Sequence, residues 1–256
     1  MDILLEDDKR CVVLTNIIQN LKVFTDNVNI HFNEDSFYIQ GMDTSHVSMF
    51  DINLDSSWFS KYNSETNLCI GVNLNILSKI LSTRTEKQNI HMYYDKVNCD
   101  KLNIEFISEE SDYNKYFVVP LVDIESDLLE VSELDYELEL NMDSKKFKQL
   151  IDQLSSFGES IKFNTENNTL YIETDSEESN MKIEITEKNK DIKSLKIEDN
   201  LNLCFNAKFI HNMCMFCKVS ENVEIKLAKD VPLQILYKVN DTSLLKIFLA
   251  PKINDD

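Results

Sequence analysis

Ile70-Gly71-Val72-Asn73 and Leu203-Cys204-Phe205-Asn206 are short, mostly apolar runs that end in asparagine, and each passes directly into a helix-spaced stretch. The first leads into Leu74, Leu77 and Leu81, the second into Phe209, Ile210, Met213 and Phe216, which is how one face of a helix repeats. A strand running straight into a helix at matching places in the two halves predicts a duplicated unit. Its period is far longer than that of a solenoid repeat.

Outward from these runs, helical spacing recurs at Val13, Ile17, Leu21, Phe24 and at Phe147, Leu150, Ile151, Leu154, so each half has two helices. The remainder alternates with period two. In the first half this is seen at Ile30 and Phe32; Phe37 and Ile39; Leu68, Ile70 and Val72; Ile90, Met92 and Tyr94; Leu102, Ile104 and Phe106. In the second it is seen at Leu138, Leu140 and Met142; Leu170 and Ile172; Met181, Ile183 and Ile185; Val223, Ile225 and Leu227; Leu245, Ile247 and Leu249. The expected class is α+β, mostly antiparallel, ordered helix, strands, helix, strands in domains 1–120 and 137–256. Residues 121–136 lie between them. There Asp123, Glu125, Asp127, Glu130, Glu133 and Asp135 interrupt Ile124, Leu128, Leu129, Val131 and Leu134, as suits an extended, solvated connector.

With 256 residues, 43% of them hydrophobic, the chain can build a large core. No apolar run approaches the ~18 residues of a membrane span, and Asp2, Glu6, Asp7 and Asp8 stand where a secretory signal carries positive charge, so an intracellular protein without a membrane partner is expected. Three glycines, Gly41, Gly71 and Gly158, cannot assemble a dinucleotide fingerprint or a P-loop. Cys11, Cys69, Cys99, Cys204, Cys214 and Cys217 show no disulfide rhythm and read as reduced, packed thiols. The formal charge of -19 argues against nucleic acid unless the charges are segregated. They are: Lys9, Arg10, Lys22, Lys79, Arg84, Lys87, Lys145, Lys146, Lys148, Lys208 and Lys218 lie on or beside the helices, while strands and connector hold most acids. Helices gathered on one surface would meet phosphates without reading bases.

Two clusters invite chemistry. His211, Cys214 and Cys217, with Cys204 upstream, have the types of a zinc site, but no second closely spaced ligand pair accompanies them, and they are assigned to the core. Asp43, Thr44, Ser45 and His46 have the types of a hydrolytic group, without the glycine pattern of a nucleophile elbow. No metal, no cofactor and no catalytic residue are expected. An acidic hydrolase is the rival from another class.

Gly41-Met42-Asp43-Thr44-Ser45-His46-Val47-Ser48-Met49, Gly71-Val72-Asn73-Leu74 with Leu77-Ser78-Lys79-Ile80-Leu81, Asp230-Val231-Pro232-Leu233 and Leu249-Ala250-Pro251-Lys252-Ile253 together resemble, in order, the signature segments of the DNA sliding clamp family. The resemblance implies two similar domains of the DNA-clamp fold, with antiparallel sheets outside and four helices lining the hole of a homotrimeric ring. It implies a non-enzymatic processivity factor that encircles double-stranded DNA without sequence preference. DNA polymerase, clamp loader and other proteins with PIP-box-like motifs would bind it. Alternatives within the class are a checkpoint-type heterotrimer subunit and a monomeric viral processivity factor.

By position, the resemblance implies a subunit interface between Lys115, Tyr116, Phe117, Val118 and a neighbour's Met181, Lys182, Ile183, Glu184. It implies DNA-facing Lys22, Lys79, Arg84, Lys145, Lys146, Lys148 and Lys208. A groove for the partner motif would be lined by Met42, His46, Val47, Met49, Leu129, Val131, Pro232, Phe248, Leu249, Ala250, Pro251 and Ile253. The chain departs from the family at Glu130 and Ser132 for glycine and proline, Asn206 for alanine, Gln149 and Asp152 for arginines, and Asn167 for the modified lysine. Nuclear residence is expected of a cellular eukaryotic protein, a replication compartment of a viral one.

Overall fold

The computed structural model describes residues 1–64, 67–94, 100–108, 113–132 and 134–252. Cys99, Glu133 and Ile253 therefore lie outside the described residues. The chain forms two units: Met1–Thr44, Phe50–Leu129 and Val239–Leu245 make the first, and Ser45–Met49, Glu130–Lys238 and the stretch from Lys246 make the second. The division falls inside the connector, between Leu129 and Glu130.

The first unit runs β1 (Asp2–Leu5), α1 (Asp8–Leu21), β2 (Asn27–Phe32), β3 (Ser36–Met42), β4 (Ser48–Asp55), β5 (Lys61–Asn63), β6 (Leu68–Asn73), α2 (Leu74–Leu81), β7 (Asn89–Tyr93), β8 (Lys101–Ile107) and β9 (Lys115–Pro120). The second runs β10 (Leu138–Asp143), α3 (Ser144–Ser155), β11 (Ser160–Glu166), β12 (Thr169–Asp175), β13 (Asn180–Ile185), β14 (Ile192–Ile197), β15 (Asn202–Asn206), α4 (Ala207–Cys214), β16 (Asn222–Leu227), β17 (Leu233–Lys238) and β18 (Leu244–Leu249). Strand order is β5-β1-β7-β8-β9 and β4-β3-β2-β6 in the first, β14-β10-β16-β17-β18 and β13-β12-β11-β15 in the second. Each strand of one order has its counterpart in the other, so the duplication read from the two asparagine-ended runs is a duplication of topology.

Those asparagines end their strands because they cap the next helix. The Asn73 side chain accepts from the Ile76 N–H at 3.1 Å, and the Asn206 side chain accepts from the Lys208 N–H at 3.0 Å. Asp7 and Asp143 cap α1 and α3 in the same way, accepting from Arg10 at 2.9 Å and Lys146 at 2.7 Å. The helices also enter alike: Leu74 N–H donates to the Asp26 carbonyl at 2.8 Å and Ala207 N–H to that of Glu159 at 2.9 Å.

In the first unit α1 packs on α2, burying Leu14, Ile17, Leu21, Leu74, Leu77 and Leu81; in the second α3 packs on α4, burying Phe147, Ile151, Leu154, Ile210, Met213 and Cys214. The apolar spacing outlasts two helices. Phe24 and Phe216 are buried beyond the ends of α1 and α4, where N–H groups reach back three residues (Phe24 to Leu21, 3.0 Å; Cys217 to Cys214, 3.1 Å) and tighten the chain.

Candidate functional site

Cations mark the helices of both units, but not all of them are free. Lys22, Lys79, Lys145 and Lys208 are exposed, and no ion pair among the described residues engages them. Lys146 reaches Gln149 at 3.2 Å. Lys148 pairs with Asp152 at 2.5 Å, and Asp152 also receives His211 Nδ1 from α4 at 2.9 Å. Arg84 differs from expectation: only 6% of its side chain is exposed, and it donates to Asp8 and to the Gln88 carbonyl, both at 2.6 Å. It braces the start of α1 instead of facing out, and its hydrogen bond holds the Asp8 carboxyl below the usual carboxylate range.

The segments expected to join subunits lie on terminal strands of their sheets: Lys115–Val118 on β9 and Met181–Glu184 on β13. Tyr116 and Val118 are exposed to 66% and 59%. Such large apolar residues on a sheet edge need cover.

The expected groove residues are distributed as follows. In the second unit Ala250 N–H donates to the Val47 carbonyl at 3.0 Å, which joins the turn holding His46, Val47 and Met49 to the tail. Ala250 and His46 are exposed and Pro232 and Pro251 half-buried; Phe248 is 8% exposed. Leu249 is fully buried, because adjacent residues of a strand point to opposite faces, and it cannot line a groove. In the first unit Met42 is half-buried at the end of β3, and Leu129 is 49% exposed.

The connector's described residues are mostly exposed, and its backbone between Val122 and Leu129 is also tied to the first unit's sheet. Val122 N–H donates to the Gly71 carbonyl on β6 at 2.9 Å. Asn29 Nδ2 on β2 donates to the Ile124 carbonyl and to Ser126 Oγ, both at 3.0 Å. On β3 the Gln40 amide both donates to the Leu129 carbonyl (2.9 Å) and accepts from the Leu129 N–H (2.7 Å). Gly71 is glycine for room: an added Cβ would stand 2.1 Å from the Val122 carbonyl oxygen.

The family model of the proliferating cell nuclear antigen N-terminal domain matches residues 5–130, and that of its C-terminal domain matches residues 130–252. The chain belongs to the proliferating cell nuclear antigen family. Both halves are covered, and the two matches meet where the two units divide. The proliferating cell nuclear antigen of Chaetomium thermophilum is 28% identical over 249 residues, covering 95% of this chain and 96% of that one. Proliferating cell nuclear antigen 2 of Plasmodium falciparum is 28% identical over 251 residues, covering 93% and 95%. Among solved structures, a PCNA2-PCNA3 complex from Sulfolobus tokodaii superposes with a TM-score of 0.88 at 22% identity, covering 98% and 99%. The protein is a DNA sliding clamp, and the family serves as a scaffold.

Against this family background, Asn167 (φ 49°) and Asn168 (φ 63°) make the tight turn between β11 and β12, a left-handed pair that asparagine tolerates. Asn206 is the α4 cap described above. His211 turns to Asp152, while Cys214 and Cys217 are buried and their thiols are pushed up by desolvation. His46 occupies a left-handed position (φ 56°) in the turn after β3. Sequence reasoning missed Asn29 and Gln40. Their one signal is an amide at an outward position of a strand, which an ordinary solvated residue gives equally well.

Proposed function

We propose that copies of this chain close head to tail into a homotrimeric ring around duplex DNA, β9 of each pairing with β13 of the next. The observation that carries this is a pair of sheet edges. β9 and β13 each end a sheet, and on β9 Tyr116 and Val118 are uncovered. Unlike edges that pair head to tail generate a ring when the rotation closes.

Lys22, Lys79, Lys145, Lys146 and Lys208 are proposed to meet phosphates; Lys148 is weakened in that role by Asp152, and Arg84 is withdrawn from it. Contact is sequence-independent and salt-sensitive. Enclosure, not affinity, then retains the clamp, and a weakly bound polymerase stays at high effective concentration. The chain makes and breaks no bond. Partner segments carrying a glutamine, an aliphatic residue and paired aromatics are proposed to seat on two surfaces: Val47, Pro232, Phe248, Ala250 and Pro251 of the second unit, and Leu129 of the connector. Eukaryotic relatives favour a nuclear role. With asparagine at position 167, lysine-linked modification of that turn is expected to be lost.

Light scattering tests the ring. A mass of roughly three times the 29.9 kDa chain is expected. Val118→Lys should lower it by placing an unpaired charge on the joined edge, and a monomeric wild type would overturn the reading.

A further inference from the structure

We propose that Gln40 is a positioning residue for partner binding: its side-chain amide fixes the connector backbone at Leu129 and so holds the exposed leucines in place for the incoming segment. The affinity part of this inference rests on the partner reading above; the clamp on the connector stands by itself.

The geometry is that of a strand residue imitated by a side chain. Gln40 Nε2 donates to the Leu129 carbonyl at 2.9 Å, and Gln40 Oε1 accepts from the Leu129 N–H at 2.7 Å. Both backbone groups of Leu129 are thus engaged, and its side chain is left 49% exposed beside Leu128 at 51%. Gln40 itself is only 9% exposed, so its amide has little water to fall back on.

The orientation of the amide is enforced from below. Tyr38 donates its hydroxyl proton to Asp51 Oδ2 at 2.6 Å, which leaves the Tyr38 oxygen as an acceptor, and Gln40 Nε2 donates to that oxygen at 2.9 Å. Were the amide turned over, its oxygen would face the Tyr38 oxygen and its NH₂ the Leu129 N–H. Burial and the Asp51 carboxylate push the Tyr38 phenol up, so its proton stays in place. Asp51, Tyr38 and Gln40 therefore form one polar chain ending on the connector backbone. Asn29 and Gly71 hold the connector earlier, at Ile124 and Val122, and Gln40 is the anchor at the exposed leucines.

The deciding variant is Gln40→Met, which keeps side-chain length and removes both bonds. Three readouts on the full chain are needed: hydrogen exchange at the Leu129 amide, titration with a synthetic peptide bearing a glutamine, an aliphatic residue and two aromatics, and light-scattering mass. Exchange at Leu129 should become about tenfold faster and peptide binding about fivefold weaker, with mass unchanged, as loss of bonds of ordinary strength dictates. Gln40→Glu keeps an oxygen for the Leu129 N–H but sets its second oxygen against the Leu129 carbonyl, the Tyr38 oxygen and the Asp51 carboxylate 3.4 Å away, and should lose protection as Gln40→Met does; Tyr38→Phe should act in the same direction, less strongly. Unchanged exchange in Gln40→Met would overturn the clamp. Faster exchange with unaltered peptide affinity would overturn the positioning role. A wild-type chain that binds no such peptide would overturn the partner reading and the affinity part with it, while exchange still decides the clamp.

Discussion

After β9 the chain turns onto β6, where Val122 N–H meets the Gly71 carbonyl at 2.9 Å; after β18 it turns onto β15, where Lys252 N–H meets the Cys204 carbonyl at 2.8 Å. Connector and tail are therefore counterparts, each leaving the last strand of its unit and bonding to the strand that precedes the second helix. What differs is the sheet beneath. Asn29 stands opposite Gly71, and Lys162 opposite Cys204. In the first unit the outward positions are neutral amides, Asn29 and Gln40, which reach up to the crossing backbone. In the second they are charges that pair sideways, Lys162 with Asp175 at 2.6 Å and Glu173 with Lys182 at 2.9 Å. An amide donates and accepts at once and so can grip a peptide unit; a carboxylate or an ammonium can do only one of these. The repeated topology supplies the backbone bond in both units. Side-chain chemistry makes one of the segments a fixed connector.

Gly71→Val strikes this contrast hardest, since its Cβ would meet the Val122 oxygen at 2.1 Å, within backbone that cannot rotate away. Chemical denaturation should show a loss of about 1–3 kcal/mol. Cys204→Val at the counterpart should cost less than about 0.5 kcal/mol, and equal losses would break the comparison. Leu129→Ala should leave stability within about 0.5 kcal/mol and weaken the motif peptide about tenfold, measured by titration calorimetry. On the tail, Ala250→Pro deletes the donor to Val47, and a loss of about 1 kcal/mol in denaturation is expected. Asn29→Ala should cost about 0.5 kcal/mol, because the freed Ile124 carbonyl can turn to water; its readout is faster amide exchange between Ile124 and Leu129.

Legibility followed range. The four helices, the alternating strands and the duplication were readable because each depends on neighbours a few residues apart: the caps Asn73 and Asn206 act within three residues of themselves. Arg84 turns inward to a partner, Asp8, that lies far back in the sequence, where no local pattern points to it. The motif around Leu249 suggests a surface position, whereas strand alternation buries it.

Class of structure, repeat and family can be read from the chain alone, since period, capping chemistry and ordered motifs survive without coordinates. Which polar residues work depends on the folded path of the chain. Gln40 sits 89 positions from Leu129 and Asn29 95 from Ile124, and no local pattern encodes a bond across such a separation. An outward amide on a strand looks the same in sequence whether water or a crossing backbone covers it, and only the path of the chain says which.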